Sequence, residues 1–197
     1  GEDCDDLDAQ TNPGSLDDQG DGIDQNCDGY ADEVLLPTAD SLQLGDLIIT
    51  EVMQNPAAVN DVDGEWFEIY NLTNNSVNLK GLSVSDNDSD SFSINRTLVI
   101  EAADYIVFGK NADSANNGGI DLDYSYGSQM TLANTDDEII LENDLGLVDM
   151  IVWNNSQTFP SPTGTSMNLN PTYYNESDND NGSNWCESTT VLTSGDY

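Results

Sequence analysis

The sequence predicts an all-β fold, a sandwich or barrel, set behind a short acidic segment that has no core of its own. Three observations predict it. From Asp46 onward, runs of strand length rich in Val, Ile, Tyr and Phe recur between clusters of Asn, Asp, Ser and Gly, the pattern of a many-stranded antiparallel fold. No stretch carries a convincing helical period. Residues 1–33 hold few apolar side chains (Leu7, Leu16, Ile23 and Tyr30), too few to bury a core.

The predicted strands follow in order. Residues 47–53 are a continuous apolar run broken by Thr50 and Glu51. In 65–72, Trp66, Glu68 and Tyr70 alternate against Phe67 and Ile69, so one of those faces is expected to be buried. Further strands are read at 79–85, 91–94, 97–100, 105–109, 129–132, 138–142 and 147–153. Asn143-Asp144-Leu145-Gly146 between the last two reads as a hairpin loop. Beyond Trp153 the chain is polar and carries Pro160, Pro162 and Pro171. That tail is expected to wrap the sandwich rather than extend it. The organisation is therefore an acidic module at 1–33, a linker at 34–45 and a sandwich with an irregular tail at 46–197.

Charge excludes whole classes of function. The 197 residues contain 38 Asp and Glu against three basic residues, Lys80, Arg96 and Lys110, for a net charge of −35. Nucleic acid and anionic membrane bind by displacing counterions with Lys and Arg, so neither is expected as a partner. Two carboxylates about 4 Å apart repel by roughly 1 kcal/mol in water and roughly 4 near a protein surface. Bound cations are one remedy. The chain has no His, which removes Ser-His-Asp and Cys-His relays and His metal ligands. No apolar run approaches a membrane span, so no membrane insertion is expected. A start at Gly1 rather than Met is read as a processed form or a fragment.

Cys4 and Cys27 bracket the acidic segment, and Cys186 stands near the other end. A pair closing a loop poor in apolar residues suggests an oxidising compartment, and the closure would be worth roughly 3 kcal/mol. Three cysteines do not force the pairing. Cys4–Cys186 or Cys27–Cys186 would tie the module to the main domain instead.

The acidic segment has the spacing of a calcium site. Calcium takes six to eight hard oxygens, which alternating acidic residues around a Gly turn can supply from one loop. Asp24-x-Asn26-x-Asp28-Gly29 has EF-hand phasing, with Tyr30 placed to offer its carbonyl. Position twelve is Leu35, so Asp32 or Glu33 would have to close a shorter loop. Asp17-x-Gln19-x-Asp21-Gly22 overlaps it, with Asp24 two residues on. Asp3, Asp5, Asp6 and Asp8 form a third group. Together these imply two or three Ca2+ ions sharing ligands. The alternative is a solvated acidic tail, which Gly and Cys at fixed offsets disfavour. Weaker candidates are Asp86, Asp88 and Asp90, and Asp178 and Asp180, where a surface turn is the better reading.

The elements Asp3-Cys4-Asp5-Asp6, Pro13-Gly14, Asp21-Gly22 and Asn26-Cys27-Asp28-Gly29 resemble the metal-binding motif of secreted bacterial proteins. Related spacing occurs in calcium-binding thrombospondin type-three repeats. Some members of the motif family are linked to copper, which a donor set without His suits poorly. The later strands resemble the lamin-tail domain, an immunoglobulin-like sandwich. The resemblance rests on Leu47-Ile48-Ile49-Thr50-Glu51-Val52, Gly64-Glu65-Trp66-Phe67-Glu68-Ile69-Tyr70-Asn71 and Ala103-Asp104-Tyr105-Ile106-Val107-Phe108-Gly109. Leu132-Ala133-Asn134-Thr135-Asp136-Asp137-Glu138-Ile139-Ile140-Leu141 extends it. It implies an extracellular, bacterial setting and a binding or scaffolding role, and fold alone does not give function.

Catalysis is not expected. Glu51, Glu65 and Glu68 could be imagined as a glycosidase carboxylate pair, but Glu65 and Glu68 flank Trp66 in a structural motif. Cys186 has no His to act as its base. Two classes remain. One is a secreted, calcium-binding structural or adhesive protein, self-associating into a calcium-dependent assembly or fibre and meeting a protein or glycan ligand. The other is a non-catalytic, ligand- or carbohydrate-binding accessory module of a larger secreted hydrolase or nuclease. Exposed Trp66, Trp153 or Trp185 in a planar face would favour the second.

Overall fold

A computed structural model describes residues 36–154 and 158–191, together with residues 4, 5, 8, 10–13, 15, 21–27, 29 and 31. The chain divides into two compact units, Gly1–Leu36 and Pro37–Tyr197. The larger unit is a sandwich of twelve short strands among the described residues. They are β1 (Leu47–Met53), β2 (Trp66–Asn71), β3 (Val77–Asn78), β4 (Ser83–Ser85), β5 (Ser91–Ser93) and β6 (Val99–Ile100). There follow β7 (Tyr105–Gly109), β8 (Tyr124–Ser125), β9 (Asp137–Asn143), β10 (Gly146–Trp153), β11 (Met167–Leu169) and β12 (Trp185–Glu187). One sheet runs β12-β11-β1-β2-β7-β8 and the other β10-β9-β4-β5, with β3 and β6 as a separate pair. Every pairing is antiparallel except β7 with β8.

The core is built by period-two alternation. Phe67 and Ile69 of β2, Ile106 and Phe108 of β7, and Ile139 and Leu141 of β9 are all buried. Phe67 stacks on Phe108 with ring centroids 5.1 Å apart, and Phe92 and Tyr126 extend the aromatic layer at 5.2 Å. Trp66, Trp153 and Trp185 are buried as well.

Two bulges place polar groups inside. The β1–β2 register shifts between Ile49 and Glu51, which buries Thr50 completely. The β9–β10 register shifts between Leu147 and Asp149, so that Val148 and Asp149 are both buried. An extra residue in one strand re-aims a side chain in this way. Asp149 Oδ2 accepts from the Ile49 N–H at 2.7 Å, a bond that joins the two sheets. Asn179 Nδ2 donates to Asp149 Oδ2 at 2.8 Å and to Oδ1 at 3.1 Å. Burial pushes the Asp149 carboxyl up to about 7, against those hydrogen bonds.

The structure departs from the sequence reading in three places. The tail does more than wrap the sandwich, because β11 pairs with β1 and β12 with β11, adding two strands to a sheet edge. Residues 129–132 form no strand. Met130 and Leu132 are instead buried from a loop. Part of the segment read as a linker belongs to the sandwich unit, with Ala39 and Leu42 in its core. The hairpin at 143–146 is present, Asn143 pairing with Gly146, whose φ of 128° suits glycine. The one α-helix among the described residues is the four-residue α1 (Asp61–Gly64).

Candidate metal module and the sites of the sandwich

Among its described residues, the N-terminal unit is tied by a disulfide and by hydrogen bonds to carboxylates. Cys4 and Cys27 are bonded, with Cα atoms 5.8 Å apart, and the free Cys186 is exposed. Of the three pairings open to the sequence, the bracket around the acidic segment is the one formed. The buried residues among those described in this unit are Thr11 and Gln25, both polar. Gln25 Nε2 donates to Asp21 Oδ2 at 2.7 Å, and the Ile23 N–H donates to Asp21 Oδ1 at 2.8 Å. The Gly29 N–H donates to Asp24 Oδ2 at 2.8 Å. Gly22 and Gly29 take φ of 73° and 98°, a region open to glycine at little steric cost. This explains why the Asp-Gly steps recur.

Of the metal candidates, Asp5, Asp8, Asp21, Asp24 and Asn26 are among the described residues. Asp3, Asp6, Asp17, Asp28, Tyr30, Asp32 and Glu33 lie outside them. Among the described residues no group of three or more acidic or cysteine side chains converges closely enough to hold an ion. The chemistry of the donor set is nonetheless selective. It consists of carboxylates, an amide and backbone oxygens, with no His in the chain and both local sulfurs oxidised. Such donors fit a hard cation such as calcium and fit copper poorly.

The weaker acidic groups are organised as turns. Asp86 Oδ1 accepts from the N–H groups of Asp88 and Asp90 at 2.9 and 3.0 Å, while Asp90 Oδ2 accepts from Thr131 N–H at 3.1 Å. Asp178 Oδ2 accepts from Asn175 Nδ2 at 2.7 Å. Asp180 is exposed, and its carboxyl is raised by partial desolvation and by the charge of Glu176.

Of the three glutamates around Trp66, Glu65 stands apart, while Glu51 and Glu68 are neighbours. Glu65 is buried, and its Oε2 lies 2.8 Å from Lys110 Nζ in the one salt bridge among the described residues. The same oxygen accepts from Leu132 N–H at 2.8 Å, whereas Oε1 is buried without a partner. Desolvation raises the Glu65 carboxyl, and Lys110 and Leu132 oppose it. Removing one partner of such a pair strands a buried charge at a cost of roughly 3–5 kcal/mol. Glu51 and Glu68 face each other across β1 and β2. Glu68 Oε1 accepts from Thr50 Oγ1 at 2.7 Å. Glu51 accepts from Ser166 Oγ and from Asn168 Nδ2 at 2.8 Å. The Glu65–Lys110 pair was not legible in the sequence, because Glu65 stands just before β2 and Lys110 just after β7, far apart in the chain.

Residues 41–155, more than half of the chain, match the Lamin Tail Domain. The chain belongs to the lamin-tail-domain family. Within this lamin-tail sandwich, the Glu65-to-Asn71 motif is the stretch that carries the buried ion pair and the stacked aromatics. Residues 3–33 match a second family, described as "Putative metal-binding motif", which covers the disulfide-closed acidic unit. No curated protein matches the chain. No helix among the described residues is long and apolar enough to cross a membrane.

Proposed function

We propose that the chain is a secreted, non-enzymatic structural or adhesive protein whose N-terminal module takes up calcium and stiffens or links lamin-tail sandwiches outside the cell. The observation that carries this reading is the disulfide-closed acidic loop. Its described carboxylates fold onto backbone N–H groups at Asp-Gly turns, over residues that match a metal-binding motif. Asp5, Asp8, Asp21, Asp24 and Asn26, with the seven candidates outside the described residues, would hold two or three ions. Bound calcium supplies positive charge that offsets carboxylate repulsion. The chain's own part is to supply hard oxygens from a loop whose ends the disulfide fixes. A disulfide suits an oxidising, extracellular setting.

An accessory module that grips a polysaccharide on an aromatic platform is disfavoured on a specific ground. Trp66, Trp153 and Trp185 are all buried, so they offer no planar face to a polysaccharide. The non-enzymatic reading is supported by the lack of His and by the engagement of Glu65 with Lys110.

Sedimentation velocity and electron microscopy of the full chain, in calcium and in EGTA, test the assembly part of this reading. Calcium is expected to shift the chain into larger species, and EGTA to return it to the smaller one. A monomer in both conditions contradicts a calcium-linked assembly.

A further inference from the structure

A cavity of about 440 Å³ opens where α1, the end of β7 and the 125–131 loop meet, a size within the usual range of small-molecule sites, about 300–1,000 Å³. We propose that it binds a neutral polyhydroxylated ligand, one or two sugar units at the end of a glycan. The inference does not rest on the calcium module, and either can fail without the other.

The walls carry the argument. Lys110 lines the cavity yet its side chain is only 6 % exposed. Its ammonium is engaged by Glu65 Oε2 at 2.8 Å and Thr131 Oγ1 at 3.3 Å. An ammonium has three N–H donors, so two protein acceptors leave capacity for a third. Asp63 of α1 also lines the cavity, and its Oδ1 accepts from Asn111 Nδ2 at 2.8 Å. A carboxylate oxygen has further lone pairs to offer. The cavity thus presents a donor and an acceptor, with the hydroxyls of Ser128 and Thr131 able to do either. Val62, 69 % exposed, contributes an apolar wall.

Electrostatics selects among ligands. An anion gains little from Lys110, which Glu65 already neutralises, and meets Asp63 and a net charge of −35. A cation is drawn by the same net charge, but one lining carboxylate and no lining aromatic ring among the described residues leave it short of further partners. The several hydroxyls of a sugar suit both groups, because one can donate to Asp63 while another accepts from Lys110. The C–H face of a sugar can then lie on Val62. No aromatic ring among the described residues lines the cavity, so hydrogen bonds would carry the recognition. Weak binding follows, with a dissociation constant on the order of 1 mM for a single sugar.

The test is titration of the full, calcium-loaded chain with methyl glucoside, methyl galactoside and N-acetylglucosamine, read by amide shifts and by saturation transfer. Ammonium and acetate serve as charged probes. Shifts confined to 62–63, 110–112 and 125–131 with at least one sugar are expected. Asp63→Ala should weaken that sugar about tenfold or more, the loss of one hydrogen bond to a charged group. Ser128→Ala should weaken it less, and melting curves should show both variants folded. Leu44→Ser, away from the cavity, should bind as the parent does. The proposal is overturned if no sugar shifts these amides or if the shifts lie elsewhere. It also fails if folded Asp63→Ala and Ser128→Ala both bind unchanged, or if either charged probe binds more tightly than every sugar.

Discussion

Glu68 faces Glu51 across the β1–β2 ladder, where like charges opposed on neighbouring strands repel. Burial and that repulsion both favour the protonated form of Glu68. Burial, followed by the nearby Glu51, pushes the Glu68 carboxyl up to about 7 from 4.5, with the Thr50 hydrogen bond opposing. Asp149 is raised to about 7, chiefly by burial. Asp137 is raised to about 6 by the same cause. An acid that is harder to ionise in the fold binds more protons there than in the unfolded chain. Stability then falls as pH rises between the two pKa values. For Glu68 that window runs from 4.5 to about 7. The melting temperature of the sandwich should therefore decline across this window and level off above it. Glu68→Gln keeps an acceptor for Thr50 and cannot ionise. It should melt higher than the parent above the window and match it below, so its pH curve is shallower. A Gln curve that merely runs parallel to the parent's would contradict this account.

At the scale of elements, the six-stranded sheet ends in two short strands that no local pattern announces. β11 is Met-Asn-Leu and β12 is Trp-Cys-Glu. Each is three residues long, and their place is set by register to β1 through Glu51 with Asn168 and Val52 with Met167. Trp185 anchors the edge. It is buried, its Nε1 donates to the Asn179 carbonyl at 2.7 Å, and its ring packs 5.6 Å from Phe159. The turn before it is equally tight, since a Cβ on Gly182 would meet the Phe159 backbone nitrogen at 2.2 Å. Trp185→Ala should cost about 3–5 kcal/mol, as buried aromatic truncations do. Hydrogen exchange should show amides of β11 and β12 losing protection before those of the β9–β10 hairpin. Equal loss in both places would mean that the edge is no separate unit. By contrast β1, β7 and β9–β10 were legible because long β-branched and aromatic runs, or a turn ending in Gly146, specify them locally. The 129–132 run misled because Met130 and Leu132 are buried without pairing. Apolar content reports burial, not hydrogen bonding.

Across the whole molecule, acidity is managed in different ways. In the sandwich unit, Asp149 is buried against N–H donors, Glu65 is paired with Lys110, and burial raises the carboxyls of Glu68 and Asp137. In the N-terminal unit they crowd a loop closed by Cys4 and Cys27, with Thr11 and Gln25 as its described buried residues. Both of those residues are polar, and under the proposed function a bound cation adds stability to this unit. Its motif was fully legible in the sequence, because Asp, Asn, Gly and Cys recur at fixed offsets within one short loop. The cavity at Lys110 was not legible, since its walls come from segments far apart in the chain. Calcium at extracellular modules binds at roughly 0.1–1 mM, and each independent site at ten times its dissociation constant adds about 1.4 kcal/mol. The most direct measurement is limited proteolysis with parallel melting, in calcium and in EGTA. Chelation should open residues 1–33 to cleavage while the sandwich keeps its melting transition. Unchanged cleavage within 1–33 and an unchanged melting profile after chelation would contradict the calcium account.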